Sequence, residues 1–347
     1  MTQPSRLPLL DGMRGVAALA VLFFHETSHY GPRGLIAHGY LAVDFFLLLS
    51  GFVLARTFEP RFAAGLGARA FMAQRLKRLW PLMAVGTGLG ATLAMIAPPD
   101  GNLAWLIACG FLFVPQLARA KDLFPLNGPQ WSLMVELLAN LAHALGLARL
   151  SRRWLLAIAG ASALLLLRAA LHFGTFDLGA LPAMAWGGIL RAGFAYCLGI
   201  VLARSLDGRG TATGPAWLLP LALLPAAIIL PALPAVSALP QQLRLLFEWL
   251  VIVAALPATL VLGLRTGAPA RAAPLLDWLG RLSFPLYAIH LPLLGLGEWL
   301  GDRTPDHASA IRWATLLAVL AASALLAETR LGGRPARPTQ RARTAPA

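Results

Sequence analysis

Apolar residues fall in repeated blocks near 20 residues long, divided by short polar or basic joints. A helix needs about 20 apolar residues to cross about 30 Å of hydrocarbon. The pattern predicts membrane helices over 12–30, 37–57, 80–98, 103–118, 131–149, 153–172, 184–204, 215–232, 243–264, 281–300 and 308–328. The joint at 56–78 carries Arg56, Arg61, Arg69, Arg75, Lys77 and Arg78. Later come Arg149, Arg152 and Arg153, then Arg204 and Arg209, then Arg265 and Arg271, and a tail rich in arginine from Arg330. Excess Lys and Arg marks loops on the cytoplasmic side, so these joints and the N-terminus are expected inside. Three apolar blocks lie between the joint at 56–78 and the cluster at 149–153, one more or one fewer than this sidedness allows. The block 103–118 is the shortest and contains Pro115, so it is expected to be re-entrant or to lie along the interface. About ten crossings remain, with both termini cytoplasmic. The fold class is all-α, a polytopic integral membrane bundle over 1–331, followed by a basic, disordered cytoplasmic tail at 332–347.

Composition agrees with the pattern. Of 347 residues, 58% are hydrophobic and 13% charged, with a mean hydropathy of +0.69. A soluble domain carries about 25% charged residues, so a soluble fold is excluded. A net charge of +14 would suggest nucleic acid for a soluble chain. Here the arginines collect at helix ends, which makes the lipid bilayer the partner and leaves no case for nucleic acid. Cys109 and Cys197 lie in apolar blocks, with no second ligand at metal-binding spacing, and read as packing residues. Arg6, Arg14 and the apolar run Val16–Phe24 imitate a signal peptide, but no small-residue cleavage motif follows. The segment is expected to be an uncleaved first helix.

Within that helix Arg14 and His25 are eleven positions apart. At about 100° and 1.5 Å per residue they share a face to within about 20°, separated by roughly 16 Å of rise. Ionisable groups in hydrocarbon are costly unless they face a bundle interior or an aqueous cavity, so this face is a candidate wall of an active site. Asp44 and Glu136 fall on helices running inward, at a depth expected to match His25. No spacing of His and acidic residues fits a metal site.

The string LDGMRGVAALAVLFFHE (10–26) resembles the opening motif of the acyltransferase family 3 membrane O-acyltransferases. GYLAVDFFLLLSGF (39–52), with Asp44, Ser50 and Gly51, is similar to the family's second signature, and FMAQRLKRLWP (71–81) to its basic loop. PQWSLMVE (129–136) matches its Trp-Ser-Leu-x-x-Glu element, and RLSFPLYAIHLPL (281–293) its late Ser, Tyr and His segment. Any one string is weak; five in the right order across nearly the whole chain are specific. Two departures bear on packing or acceptor shape: Ala42 replaces a frequent glycine, and 137–143 lacks an aromatic cluster many relatives carry. Only a short tail follows Leu331, so no fused SGNH-type domain is expected.

The resemblance implies transfer of an acyl group, most simply acetyl, from cytoplasmic acyl-CoA to a hydroxyl of a carbohydrate or glycolipid acceptor. The setting it implies is a bacterial inner membrane, with acyl-CoA as co-substrate and no permanently bound cofactor. Such a transfer needs a base for the hydroxyl proton and donors for the oxyanion. Imidazole titrates near neutrality, so His25 is the candidate base. Asp44 and Glu136 would orient His25 or bind the acceptor, or pair with a buried arginine such as Arg191. Arg14, Arg75 and Arg78 would hold the phosphates of the donor, since guanidinium binds phosphate bidentately.

Tyr287 and His290, at i and i+3, could line the substrate cavity. Trp131 and Ser132 complete the candidate substrate-binding set, although Trp131 also suits an interface anchor, and Ser132 and Ser283 suit helix N-termini. Ser50 reads as a packing residue. Glu26 points about 100° away from His25 and reads as interfacial. The rival reading is a transporter or flippase for a lipid-linked or small polar substrate, a class also marked by buried ionisable groups and interrupted helices.

Overall fold

The computed structural model describes residues 7–30, 34–118, 121–206, 214–329 and 331; the tail expected at 332–347 lies outside them. The helices are α1 (Pro8–Tyr30), α2 (Ala42–Ala63), α3 (Ala68–Ala94), α4 (Leu103–Leu112), α5 (Gln130–Leu145), α6 (Arg152–Phe173) and α7 (Ala185–Ser205). They continue with α8 (Leu218–Ile229), the short α9 (Pro234–Ser237), α10 (Gln241–Leu250), α11 (Leu256–Arg265), α12 (Ala273–Arg303) and α13 (Ala308–Ala327). A π-helical turn, Val251–Ala255, joins α10 to α11 into one continuous span. No strand occurs among the described residues.

Among the described residues, eight helical segments are long and apolar enough to cross a membrane. The chain is a polytopic helical membrane bundle. α4 has ten residues, about 15 Å, half of what a crossing requires. Its block is the one the sequence marked as unable to span. The break comes before Pro115: Phe113 takes a left-handed backbone with φ 57° and ends the helix.

Several boundaries differ from the sequence reading, and two regions bear on the site. Residues 56–78 do not form a loop, because α2 runs to Ala63 and α3 starts at Ala68. A helix satisfies its own backbone whatever solvent surrounds it, and Arg and Lys stems extend along it to reach water. α12 begins at Ala273, eight residues before the predicted start, so Ser283 and Pro285 lie inside the helix. An Asp277–Arg281 pair one turn apart accommodates charge in its first turns. Proline at 292 supplies no N–H to the Ala288 carbonyl. Asn127 Nδ2 on a neighbouring segment donates to that oxygen at 3.0 Å instead.

α1 and α12 run side by side in the same direction. Arg14 bonds Gly280 and Ser283, and His25, further along α1, meets His290. Gly15 permits this approach, since a Cβ there would sit 2.7 Å from the Leu279 carbonyl oxygen. Gly199 does the same for α7 against α2, where a Cβ would come within 2.2 Å of the Leu48 oxygen. Outer helices α6 and α13 expose Leu164, Leu165, Leu317 and Leu325, the face a bilayer would cover.

Candidate active site

A cavity of about 1000 Å³ runs between α1, α2, α3, α5 and α12. Arg14, Arg56, Arg75, Arg78 and Arg281 line one part of it, together with Glu328 and Leu331. Arg78, Glu328 and Leu331 are exposed, so the cavity opens at this basic end. Deeper along α12 and α5 its lining includes Phe46, Ser132 and Tyr287.

Positions on α12 serve as a depth scale. Arg14 lies level with Gly280 and Ser283: its Nε donates to Ser283 Oγ at 2.9 Å and its Nη2 to the Gly280 oxygen at 2.8 Å. It also pairs with Asp11 at 3.2 Å. Next comes Tyr287, whose hydroxyl is 2.5 Å from Ser132 Oγ, with Phe46 edge-on to the Tyr287 ring at 5.8 Å between centroids. The His290 ring follows, 5.9 Å from that of Tyr287.

His25 and His290 meet at this level. His25 Nδ1 is 3.1 Å from His290 Nε2 and 3.0 Å from the Val21 carbonyl oxygen. His290 Nδ1 is 3.0 Å from two carbonyl oxygens, those of Leu286 and Tyr287. Carbonyls only accept, so His290 Nδ1 carries the proton and neutral His290 offers a lone pair at Nε2. His25 Nδ1–H then donates to that lone pair and to Val21, which leaves the His25 lone pair on Nε2. His290 is buried and His25 half-buried. Neither is in the cavity lining; both stand one step beyond Tyr287.

The carboxylates do not orient His25. Asp44 accepts from buried Arg191 on both oxygens, at 3.0 and 2.8 Å. Arg191 also donates to the Tyr40 and Leu178 carbonyls. The Asp44–Arg191 pair ties α2 to α7 and lies outside the cavity lining. Glu136 lines the cavity but accepts from Arg75 at 2.8 Å and from Ser50 Oγ at 2.7 Å. It lies four residues beyond Ser132 toward the basic end and does not share the depth of His25. α5 starts at Gln130, within one residue of the predicted start, so the acid is taken from His25 by its pairing with the Arg75 guanidinium and not by a shifted helix start. Asn140, one turn on, lies with its side-chain amide 3.1 Å from Arg75 Nε, and the hydrogen-bonding pattern around it favours the orientation in which the amide oxygen accepts from that nitrogen.

The remaining candidates divide. Ser132, Tyr287, Arg14, Arg75 and Arg78 all line the cavity. Trp131 is only 7% exposed, and its ring lies 5.5 Å from the Arg191 guanidinium. It packs in the core, away from the cavity lining. Glu26, near the end of α1, is buried and accepts from Arg312 on α13. Sequence reasoning assigned no role to Arg56, although Leu49, Phe52 and Arg56 follow the i, i+3, i+7 spacing of one helix face and all three line the cavity.

A family model described as an acyltransferase domain matches residues 7–327. Among similar proteins, "Protein 2 in picA locus" of Rhizobium radiobacter is 35% identical over 192 residues, 49% of this chain and 97% of that protein. Acyltransferase MdmB of Streptomyces mycarofaciens is 29% identical over 363 residues, 94% of this chain and 89% of its own length. A Staphylococcus aureus (strain COL) protein provisionally named an O-acetyltransferase is 31% identical over 88 residues, 23% of this chain and 14% of its own. No solved structure matches the chain.

Proposed function

We propose, from the premise that this chain belongs to acyltransferase family 3 and is a membrane O-acyltransferase, that its donor is cytoplasmic acyl-CoA, most simply acetyl-CoA. Its acceptor is a hydroxyl of a sugar or glycoconjugate of the bacterial cell envelope, and its setting the inner membrane. The observation that carries this reading is the alignment of an arginine-lined cavity with the His25–His290 pair just past Tyr287.

In this reading the nucleotide phosphates stay among the arginines while the pantetheine arm extends along α1 and α12. The rise of roughly 16 Å between Arg14 and His25 is one that arm can bridge. The thioester carbonyl comes to Tyr287 and Ser132, and the acceptor hydroxyl reaches His25 Nε2. His25 takes the hydroxyl proton as the oxygen attacks the carbonyl carbon. The tetrahedral oxyanion then collapses, the C–S bond breaks, and CoA leaves as a thiolate that recovers the proton from the imidazolium.

Tyr287 and Ser132 would supply hydrogen bonds to the oxyanion. Their protons rest on each other and on the Pro129 carbonyl, and either hydroxyl can rotate toward an arriving oxygen. His290 fixes the His25 tautomer, as the acid of a Ser-His-Asp triad does for its histidine. Glu136 serves by holding Arg75 against the cavity wall. Asp44 and Trp131 belong to the scaffold around Arg191.

The test is mass spectrometry of envelope glycans from cells with the gene, without it, and complemented with His25→Ala. An acyl group should be present in the first and absent from the other two. Full acylation with His25→Ala would refute the role of His25.

A further inference from the structure

Five guanidinium groups line the cavity, and three have acceptors. Arg14 is held by Ser283, Gly280 and Asp11. Arg75 is held by Glu136, and Arg281 by Asp277 and Glu328. Arg56 and Arg78 differ. Arg56 Nη1 is buried without an acceptor, a costly state for a charged donor. Its guanidinium lies 5.6 Å from the centre of the Phe52 ring; the ring face steadies the cation but takes up none of its N–H groups through a conventional acceptor. Arg78 donates to no acceptor among the described residues. The charged groups acting on it most strongly are Arg75 and Arg14, and both repel it. Arg281 Nε is likewise buried without an acceptor, but its other nitrogens are held by Asp277 and Glu328; Arg56 and Arg78 are the two lining cations with no hydrogen-bond acceptor among the described residues.

A half-buried guanidinium with one buried open donor, in a cavity that a second cation without an acceptor also lines, matches a tetrahedral dianion with several acceptor oxygens. On α2, Arg56 stands ten residues past Phe46 toward the basic end, about 15 Å along the axis. A phosphate at Arg56 would thus lie at one end of the cavity and an acyl group beside Phe46 and Tyr287 at the other. We infer that Arg56 binds a phosphate of the acyl donor, in a cavity whose basic end Arg78 also lines, and that Arg14 and Arg75 chiefly shape the cavity wall. This inference rests on the acyl-CoA reading above. The same chemistry could be met by the phosphate of a lipid headgroup, which the experiment separates.

CoA affinity is measured calorimetrically for wild type, Arg56→Gln and Arg56→Lys, in nanodiscs of phosphatidylcholine alone and with added phosphatidylglycerol. Melting temperatures are recorded without ligand. Arg56→Gln should bind CoA at least about tenfold more weakly, since charge-assisted hydrogen bonds are lost, with its unliganded melting temperature unchanged. Arg56→Lys, which keeps the charge but not the fork, should recover part of the affinity. The same loss should appear in both lipid mixtures. Wild-type affinity in Arg56→Gln overturns the assignment. So does a melting temperature lowered only with phosphatidylglycerol while CoA affinity stays intact, which gives the phosphate to lipid. If Arg56→Gln does not fold, Arg56→Lys decides, and wild-type affinity there overturns the assignment. Wild type that binds no CoA in either disc overturns the donor reading, and this assignment with it.

Discussion

A histidine whose Nδ1 faces two carbonyl oxygens has its other nitrogen's lone pair to offer, and His290 offers it to His25. The consequence can be measured. Replacing His290 by Gln should lower kcat for acyl transfer by about tenfold while leaving KM for acyl-CoA near its wild-type value. The base would still be present, but its tautomer would be less firmly set. A parallel rise in KM with kcat intact would assign His290 to donor binding instead. The imidazole of His25 was legible from its eleven-residue spacing to Arg14. Its partner was not. An acid is the usual orienting group, so Asp44 and Glu136 were the natural candidates, yet each proves more strongly bound elsewhere. Asp44 and Arg191 are 2% and 0% exposed. Two opposite charges in a low-dielectric interior find each other before either can serve a neutral imidazole, because an unpaired buried charge is far more costly than a missing neutral hydrogen bond.

Between elements, contacts are set by the absence of side chains as much as by their presence. α7 lies so close to α2 that Gly199 leaves no room for a Cβ. Without a strong hydrophobic drive between helices in lipid, such small-residue contacts carry much of the association. Gly199→Val should therefore destabilise the purified protein by about 1–3 kcal/mol, in the range of overpacked cores, read as a lowered melting temperature in detergent. An unchanged melting temperature would show that α2 and α7 can separate freely. Most helices were visible in the hydropathy pattern, but their ends were not. Hydropathy registers which residues tolerate hydrocarbon, whereas a helix ends where its backbone loses hydrogen bonds. α2, α3 and α12 accordingly run on through charged residues that the sequence reading placed in loops or at helix starts. Ser283 illustrates the cost of that confusion: read as a helix start, it is an interior residue that accepts from Arg14.

At the scale of the whole molecule, the basic end gathers the cavity mouth and most of the arginines. The positive-inside rule predicts that this end faces the cytoplasm, the compartment that would supply the proposed donor. A fluorescent protein fused after Leu331 should fluoresce in intact bacteria, and alkaline phosphatase fused at the same point should stay inactive. The opposite pair of results would turn the cavity away from cytoplasmic acyl-CoA. The membrane environment, the approximate helices, the block that cannot span and the alignment of Arg14 with His25 were all readable along the chain. These follow from composition and from the helical repeat, which act along one chain segment at a time. It took the packing of the helices to pair Asp44 with Arg191, Glu136 with Arg75 and His25 with His290, and to leave Arg56 an open donor at the cavity. Pairings of that kind depend on how helices far apart in sequence lie against one another, and on which of several competing partners relieves the most expensive buried charge.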